Sequence, residues 1–579
     1  MRSFNLGIRF FPGITAWMFI SIFCLGSGKL WAQDIDDIRK GKVNFTVNSN
    51  INLMGGGYWH WGIHLPRNTP YMWNVSGTLN VGLFGIQFPV SVNLGPQQRN
   101  FTQPFNQYGM SPYWKWVKVH LGWRTMEFSP YSVSGITFLG GGLELTPSIF
   151  RFGAFFGRLN KATPNDTANV YNPQSIYNRW GGGAKIGIGK NGNFCDLFMF
   201  MAKDDTNSTK AVNPVIPGKQ NLVFGINGQV RFLKHFVFRL ETVASAISHN
   251  ISAPMITSPG WVKNVNRIFP VRIGSALLFA GQTSLAYQRP KWGLRLNYMR
   301  VDPDFASFGA MYRQVDIQSL TLSPNLILWK NRLIINGSVG AQQDNINGRK
   351  AATTYRLIGS ANISFNPIAA YGLDFTFSNY GTTQRAGLLA LNDTIRIAQN
   401  NLSFMLSQRY ALYNKTRVFM LMLSAGYQSL SDLNRYLPGT GGKNINGNLS
   451  ASWNRYKDNL RLMGGVNINR SSYQGGSVFL MGPSVSVGVG FLKNKMGLTF
   501  TGNYNLTLPS SGSMGSNVNT SLSWNYRITK THALIFNTYF LQNNISALPG
   551  GQFMELRVTG GYNITLNYKH NERRKKTNS

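Results

Sequence analysis

Three observations predict an all-β transmembrane barrel, an up-and-down antiparallel wall of about 24 strands within a range of roughly 22 to 26. From about residue 72 onward, segments of roughly 9 to 13 residues alternate strictly between apolar and polar side chains, and a two-residue period means strand because successive side chains point to opposite faces. The connections between these segments alternate between short and long. Only 13% of the 579 residues are charged, against 43% hydrophobic, 13% aromatic and 62 glycines. Disorder is excluded by that much apolar surface. A helical membrane protein is excluded as well, since no stretch after the N-terminus reaches the roughly 18 to 20 consecutive apolar residues of a spanning helix.

Residues 1–33 carry Arg2 and Arg9, an apolar core from about Ile14 to Leu25, and a polar end at Leu30-Trp31-Ala32-Gln33. This is the pattern of a secretory signal peptide cleaved near Ala32 or Gln33, ahead of the acidic Asp34-Ile35-Asp36-Asp37. A lipoprotein signal on Cys24 is the rival, disfavoured by the bulky Ile22 and Phe23 before it. Cys195 is then the one cysteine of the mature chain, so no internal disulfide and no cysteine metal cluster is expected. Beside Phe194 and Leu197, its thiol is expected to be buried and inert.

The last strand is the clearest. Met554, Leu556, Val558, Gly560, Tyr562, Ile564, Leu566 and Tyr568 share one face; Glu555, Arg557, Thr559, Gly561, Asn563, Thr565 and Asn567 share the other. Met496, Leu498, Phe500, Tyr504, Leu506 and Leu508 oppose Thr499, Thr501, Asn503, Asn505 and Thr507 in the same way, and Trp292, Leu294, Leu296 and Tyr298 oppose Gly293, Arg295 and Asn297. Short connections fall near 146–147, 190–193, 233–234, 289–290, 329–331, 367–368, 411–415, 457, 492–494 and 529–530, with longer Asn-, Gly- and Pro-rich ones such as 161–179, 203–220, 246–273, 379–399, 429–443 and 542–553 mostly between them. Tight periplasmic turns and long outer loops are the plan of an outer-membrane barrel. A soluble propeller or sandwich has shorter strands and no such long-short alternation.

The chain divides into a signal (1–33), a periplasmic lead-in or extra strand (34–71), the barrel (72–570) and a basic tail (571–579). Within 34–71 the extra strand would run from Val43 to Leu53, with Trp59, Trp61 and Trp73 as interface anchors. The early barrel is irregular. Residues 95–113, rich in Pro, Gln and Asn, and Phe128-Ser129-Pro130-Tyr131-Ser132-Val133-Ser134-Gly135 fit neither a clean turn nor a clean strand. Each is either an ordinary loop or a constriction folded into the lumen.

Trp292, Trp329, Phe365, Tyr410, Tyr413, Tyr526 and Tyr568 flank short connections, as an aromatic girdle at one interface would. Gly561, Ile564, Leu566 and Tyr568 resemble the C-terminal assembly signal of bacterial outer-membrane proteins, although Lys569 to Lys576 and a short tail follow. The export signal ending Ala32-Gln33, the alternating strands, and Phe128-Ser129-Pro130-Tyr131 leading to Ser134-Gly135-Ile136-Thr137-Phe138 resemble an uncharacterised group of Bacteroidota outer-membrane β-barrels. That resemblance implies fold and location, with outer-membrane lipid, lipopolysaccharide and the barrel-assembly machinery as partners, and it brings no catalytic residues.

Lys+Arg 57 against Asp+Glu 20 gives a net charge of +37. If the apolar face meets lipid, the lumenal set holds Lys118, Arg124, Arg151, Lys185, Arg231, Arg239, Arg295, Arg356, Arg461, Arg527 and Arg557, against Glu144, Glu241, Asp374 and Glu555. A basic lumen favours anions. The alternatives are arginines that pair with carbonyls or inward loops in a plugged or structural lumen, and arginines at the rims that meet lipid phosphate. The positives are spread over many strands, and the one dense cluster, Arg573 to Lys576, suits peptidoglycan or anionic headgroups, so no nucleic-acid partner is expected.

Enzymatic signals are absent. Gly187-Ile188-Gly189-Lys190-Asn191-Gly192 matches G-x-G-x-x-G but runs from a strand into a turn with no helix to hold a phosphate. His60 and His64 lack an accompanying Glu and a helical period, so no metal is expected. The expected function is a channel for anionic or polar solutes without cofactor or catalysis; the alternative is a structural or secretion-associated barrel that binds partner proteins through its loops or lumen.

Overall fold

The computed structural model describes residues 43–62, 66–96, 107–163, 176–190, 192–208, 217–311, 314–350, 352–386, 398–432, 441–457, 459–545 and 551–572. The signal, His64, the Arg573–Lys576 cluster and parts of the long connections lie outside these residues. Strands follow one another antiparallel in chain order around a single sheet. The first, Val43–Trp61, pairs with the last, Gln552–Glu572, from Val43 opposite Glu572 to Trp61 opposite Met554. The sheet is thus a closed barrel. Closure matters because an open edge would leave backbone N–H and C=O groups without partners. Among the described residues the one helix is Val262–Val265, far too short to cross a membrane.

The wall has 26 strands rather than about 24. Two of them are weakly marked in the sequence. Val43–Trp61 takes the extra-strand alternative and runs past Leu53 through Gly55-Gly56-Gly57. Gln107–Met110 and Tyr113–Trp114 are two short pieces of one interrupted wall strand, so that part of 95–113 belongs to the wall and not to a constriction. At the other end the last strand continues to Glu572, beyond the point at which the basic tail was expected to begin.

Where the period is strict, the pairing obeys it. Leu498 faces Trp524, Phe500 faces Leu522 and Tyr504 faces Val518 across the strands Met496–Pro509 and Gly515–Arg527, while Thr501 faces Ser521 and Asn503 faces Asn519. The polar face zips itself together: Ser486 and Thr501 hydroxyls lie 3.0 Å apart, and the Asn74 amide donates to Asn93 Oδ1 at 3.0 Å. Two-residue turns join neighbouring strands. Phe84 and Gly85, with φ of 51° and 83°, join Tyr71–Leu83 to Ile86–Leu94, and Leu233 and Lys234, with φ of 47° and 61°, join Gln220–Phe232 to Phe236–Ser248. Two successive positive φ values twist a hairpin in the sense its strands need, and the glycine at 85 takes that conformation without strain.

Cys195 is exposed, contrary to the expected buried thiol. It stands on the same face of Asn193–Asp205 as Leu197, Met199 and Met201, all exposed, so parity carries it to the outer wall.

Candidate functional site

The site begins with a departure from the wall. Val117–Thr125 and Thr137–Leu145 are paired up to Thr125 opposite Thr137, and the residues between leave the sheet. Ser129 and Pro130 turn the chain: the Phe128 N–H donates to the Val133 carbonyl at 3.1 Å, the Ser132 N–H to the Ser129 carbonyl at 3.1 Å, and the Tyr131 N–H to Ser129 Oγ at 3.1 Å. Phe128, Ser129, Tyr131 and Val133 are all buried. What buries them is one cluster with Phe138, Phe155, Phe198, Phe200, Val223, Val243, Ala280, Val301 and Ile317, contributed by strands from Thr137–Leu145 round to Ile317–Leu328. A short segment reaches strands so far apart around a closed wall only across its concave side. Residues 126–136 therefore form a shelf inside the barrel, the inward-folded alternative for that motif.

The faces agree. On Asn193–Asp205, Phe200 is 0% exposed and meets the shelf, whereas Leu197 is 54% exposed on the opposite face. Aromatic rings do much of the packing: Phe138 stacks on Phe155 with centroids 4.6 Å apart, Phe155 on Phe200 at 6.2 Å, and Phe128 meets Phe155 edge-on at 5.7 Å. Each such pair adds about 0.5–1.5 kcal/mol beyond burial.

A second segment joins the first from 175 residues away. Ser307 Oγ donates to the Ser132 carbonyl at 2.6 Å, and Gly309–Ala310 pairs in parallel with Val133–Ser134. Gly309 is required by close approach, since a Cβ there would lie 2.6 Å from the Ser132 carbonyl oxygen and 3.0 Å from the Phe200 ring. The wall holds both segments through polar groups. Glu241, 0% exposed, accepts the Ser129 hydroxyl at 2.6 Å and the Gln282 amide at 3.0 Å. Asn221 Oδ1 accepts the Phe308 N–H at 3.0 Å, and Ser245 donates to the Ala306 carbonyl at 2.6 Å.

Asp316 returns the second segment to the wall, accepting the Ile346 N–H at 2.9 Å and pairing with Lys350. Burial raises the Asp316 pKa, but Lys350 and the backbone donors outweigh it and the net shift is downward; the Lys350 pKa is raised, chiefly by its hydrogen bond to Asp316. A depressed carboxylate stabilises the fold above its unfolded pKa, about 3.9, and loses that contribution as pH falls through the folded value. A raised lysine keeps its contribution below its unfolded pKa, about 10.4, and loses it as pH rises through the folded value. The exchange protection of the 344–350 backbone amides, taken relative to the intrinsic rate at each pH, is expected to stay high between those limits and to fall when acid protonates Asp316. In Asp316→Asn it should already be low at neutral pH; unchanged protection there would count against the clamp.

The charged residues expected to line the lumen divide into two groups. Those around the shelf are engaged. Arg151 holds Asp196 with two bonds, at 2.8 and 2.9 Å, and lies 4.5 Å from the Phe194 ring. Glu144 meets His120 Nε2 at 2.6 Å and Lys118 at 3.3 Å, and His120 Nδ1 lies 3.0 Å from Ser111 Oγ. Arg124 donates to Ser91 Oγ at 2.6 Å, and Lys185 to the Glu127 carbonyl at 3.2 Å. Sequence reasoning missed Arg179, which pairs with Asp204 at 2.7 Å and stacks 3.7 Å from Phe308 of the second segment; it also missed Asp196 and His120 as partners. Arg179 directly opposite Asp204, and His120 on the strand next to Glu144, follow from lumen parity and pairing, whereas Arg151 reaches Asp196 across the intervening strand, over Gly187.

Around the rest of the wall the charges are dispersed. Arg231, Arg295, Arg461, Arg527 and the carboxylate of Asp374 are exposed and form no ion pair among the described residues, and Arg239 is half-buried. Arg356 lies 5.7 Å from the Tyr380 ring and Arg557 5.5 Å from that of Tyr539. Glu555 is buried, accepting the Tyr58 hydroxyl at 3.0 Å with Arg67 at 3.3 Å. Gly561, Ile564, Leu566 and Tyr568 lie in the closing strand, where Phe45 meets Tyr568 edge-on at 6.1 Å. Among the described residues no group of three His, Cys, Asp or Glu side chains is placed to hold a metal ion.

No protein-family model matches the chain, and no curated protein matches it either. Solved structures similar to it include the FrpB iron transporter from Neisseria meningitidis (F3-3 variant), 11% identical over 90% of this chain and 82% of that one, with a TM-score of 0.38. OccAB2 of Acinetobacter baumannii is 11% identical over 64% of this chain and 97% of its own, with a TM-score of 0.29. The P pilus usher (PapC) translocation pore is 10% identical over 90% and 99%, with a TM-score of 0.28. Nothing about solute or mechanism follows from likenesses this distant.

Proposed function

We propose that the chain is a channel of the Gram-negative outer membrane whose lumen is narrowed on one side by the shelf and passes polar and anionic solutes. The observation that carries this reading is the asymmetry of the closed wall. The packed cluster of the shelf involves strands from Thr137–Leu145 to Ile317–Leu328. Beyond them the face in register with it bears amides, hydroxyls and dispersed arginines, such as Asn448 against Asn467 and Ser523 donating to Asn537 at 2.7 Å. A polar inner face beside a partial obstruction suits a water-filled passage. The exposed Leu197, Met199, Met201, Phe224 and Leu320 supply an apolar outer band, and the exposed Trp329, Tyr413 and Tyr568 supply a girdle. Lipid, lipopolysaccharide and the assembly machinery are the partners this placement calls for, with short turns periplasmic and long loops outside. Kinship with the uncharacterised Bacteroidota barrels belongs to the same proposal.

Planar-bilayer recording tests it. Stable conductance that favours anions is the expected result; a closed barrel that co-purifies with another protein would favour the structural or secretion-associated reading. Arg295→Glu with Arg356→Glu should move the reversal potential toward cation selectivity while leaving the pore open. An unchanged potential would remove the role given to these arginines.

A further inference from the structure

We propose that the cavity beneath the shelf binds a small zwitterion, an amino acid or short peptide with a free ammonium and a free carboxylate. The cavity, about 480 Å³, is lined by Glu127 and Gly135 of the shelf and by Glu144, Arg151 and Lys185 of the wall. That is the size of an ordinary small-molecule site, roughly 300–1,000 Å³.

The charges lining it sort into spent and unspent. Arg151 commits Nε and Nη2 to Asp196, and Glu144 is met by both His120 and Lys118. Two groups are left over. Lys185 Nζ donates to the main-chain oxygen of Glu127 at 3.2 Å and lies 5.4 Å from the Phe128 ring, partners that carry no full negative charge. The Glu127 carboxylate receives the Ser134 hydroxyl at 3.5 Å. Among the described residues neither side chain forms an ion pair, although both border the same space. The lysine bonds the main chain of residue 127 and not its carboxylate.

The half-buried ammonium touches only dipolar groups directly, with the carboxylates of Asp196, Glu144 and Glu127 acting on it from beyond ion-pair distance, and a ligand carboxylate would bond it directly. Glu127 would take the ligand ammonium. A simple anion would gain Lys185 but face Glu127 and Glu144; a simple cation would meet the reverse. A molecule carrying both charges uses both groups, and Met126 borders the remaining space as apolar surface for a small side chain.

The inference rests on the channel reading for the solute's route, but binding to the solubilised barrel is measured apart from conductance. Dialanine, N-acetyl-dialanine and dialanine amide are titrated against the full chain in detergent by saturation-transfer NMR. Dialanine is expected to bind saturably, and each derivative about tenfold more weakly, the scale of one lost charged hydrogen bond. Lys185→Met should abolish discrimination against the amide, Lys185→Arg should retain it, and Glu127→Gln should abolish discrimination against the acetylated form. Equal binding of the three probes, discrimination that survives both variants, or no saturable dialanine binding would overturn the proposal. Glu127 is exposed, so its replacement leaves the packed cluster untouched and keeps the test open if Lys185→Met fails to fold. Dialanine binding to a barrel that passes no current would sink the channel and leave the site; current without binding would sink the site alone.

Discussion

Replacing residues 127–135 with a Gly-Ser-Gly bridge is expected to raise single-channel conductance several-fold while the barrel still forms. Thr125 and Thr137 already face each other across the wall, so a short bridge closes the hairpin without moving a strand. Its removal takes Phe128, Tyr131 and Val133 out of the lumen and deprives Gly309–Ala310 of its partner strand, so the second segment loosens as well. Conductance unchanged from the parent would mean that the shelf does not narrow the path. A milder change points the same way. Glu241→Ala leaves the buried Ser129 hydroxyl without its acceptor, at about 1–3 kcal/mol, and takes one from the partly buried Gln282 amide. Brief openings superimposed on the parent conductance are the expected trace, and protease cleavage within 126–136 should accelerate.

The largest loss of stability is expected from Phe155→Ala. Its ring touches those of Phe128, Phe138 and Phe200, so truncation opens a cavity where shelf and wall meet and should cost about 3–5 kcal/mol. Leu197→Ala, on the outer face of the same half of the wall, should cost much less, because lipid or detergent fills the space that a rigid interior leaves empty. Urea unfolding of the two variants in detergent micelles, followed by the heat-dependent shift on gels, makes the comparison. Equal losses would mean that the shelf cluster does not stabilise the barrel.

Legibility in the sequence followed the local period. The strands Met496–Pro509, Gly515–Arg527 and Gln552–Glu572 alternate cleanly, and their faces and partners emerge as the period requires. Asn193–Asp205 defeats the same reasoning. Leu197, Met199 and Met201 are apolar on one face while Phe198, Phe200 and Ala202 are apolar on the other, so the rule that apolar residues meet lipid cannot choose between them. Both faces are apolar because this stretch of wall has protein on the inside as well as an apolar exterior. Cys195 was misjudged for a related reason: apolar neighbours signal burial in a soluble core but stand exposed on the outer wall of a barrel.

The sequence by itself determined the class of fold, since a two-residue period repeated through most of the chain, with few charges and no long apolar helix, leaves a closed β wall as the way to satisfy every backbone group. It also determined which residues share a face wherever one face is polar. Only the tertiary structure decided that residues 126–136 cross the interior, that Ser307–Ala310 meets them there, and that Glu241 secures the junction. The physical reason is distance along the chain. Local alternation is set by neighbours a few residues apart, whereas Glu241 and Ser307, which bond the shelf, lie more than a hundred residues along the chain from Ser129 and Ser132 and meet them only in the folded barrel.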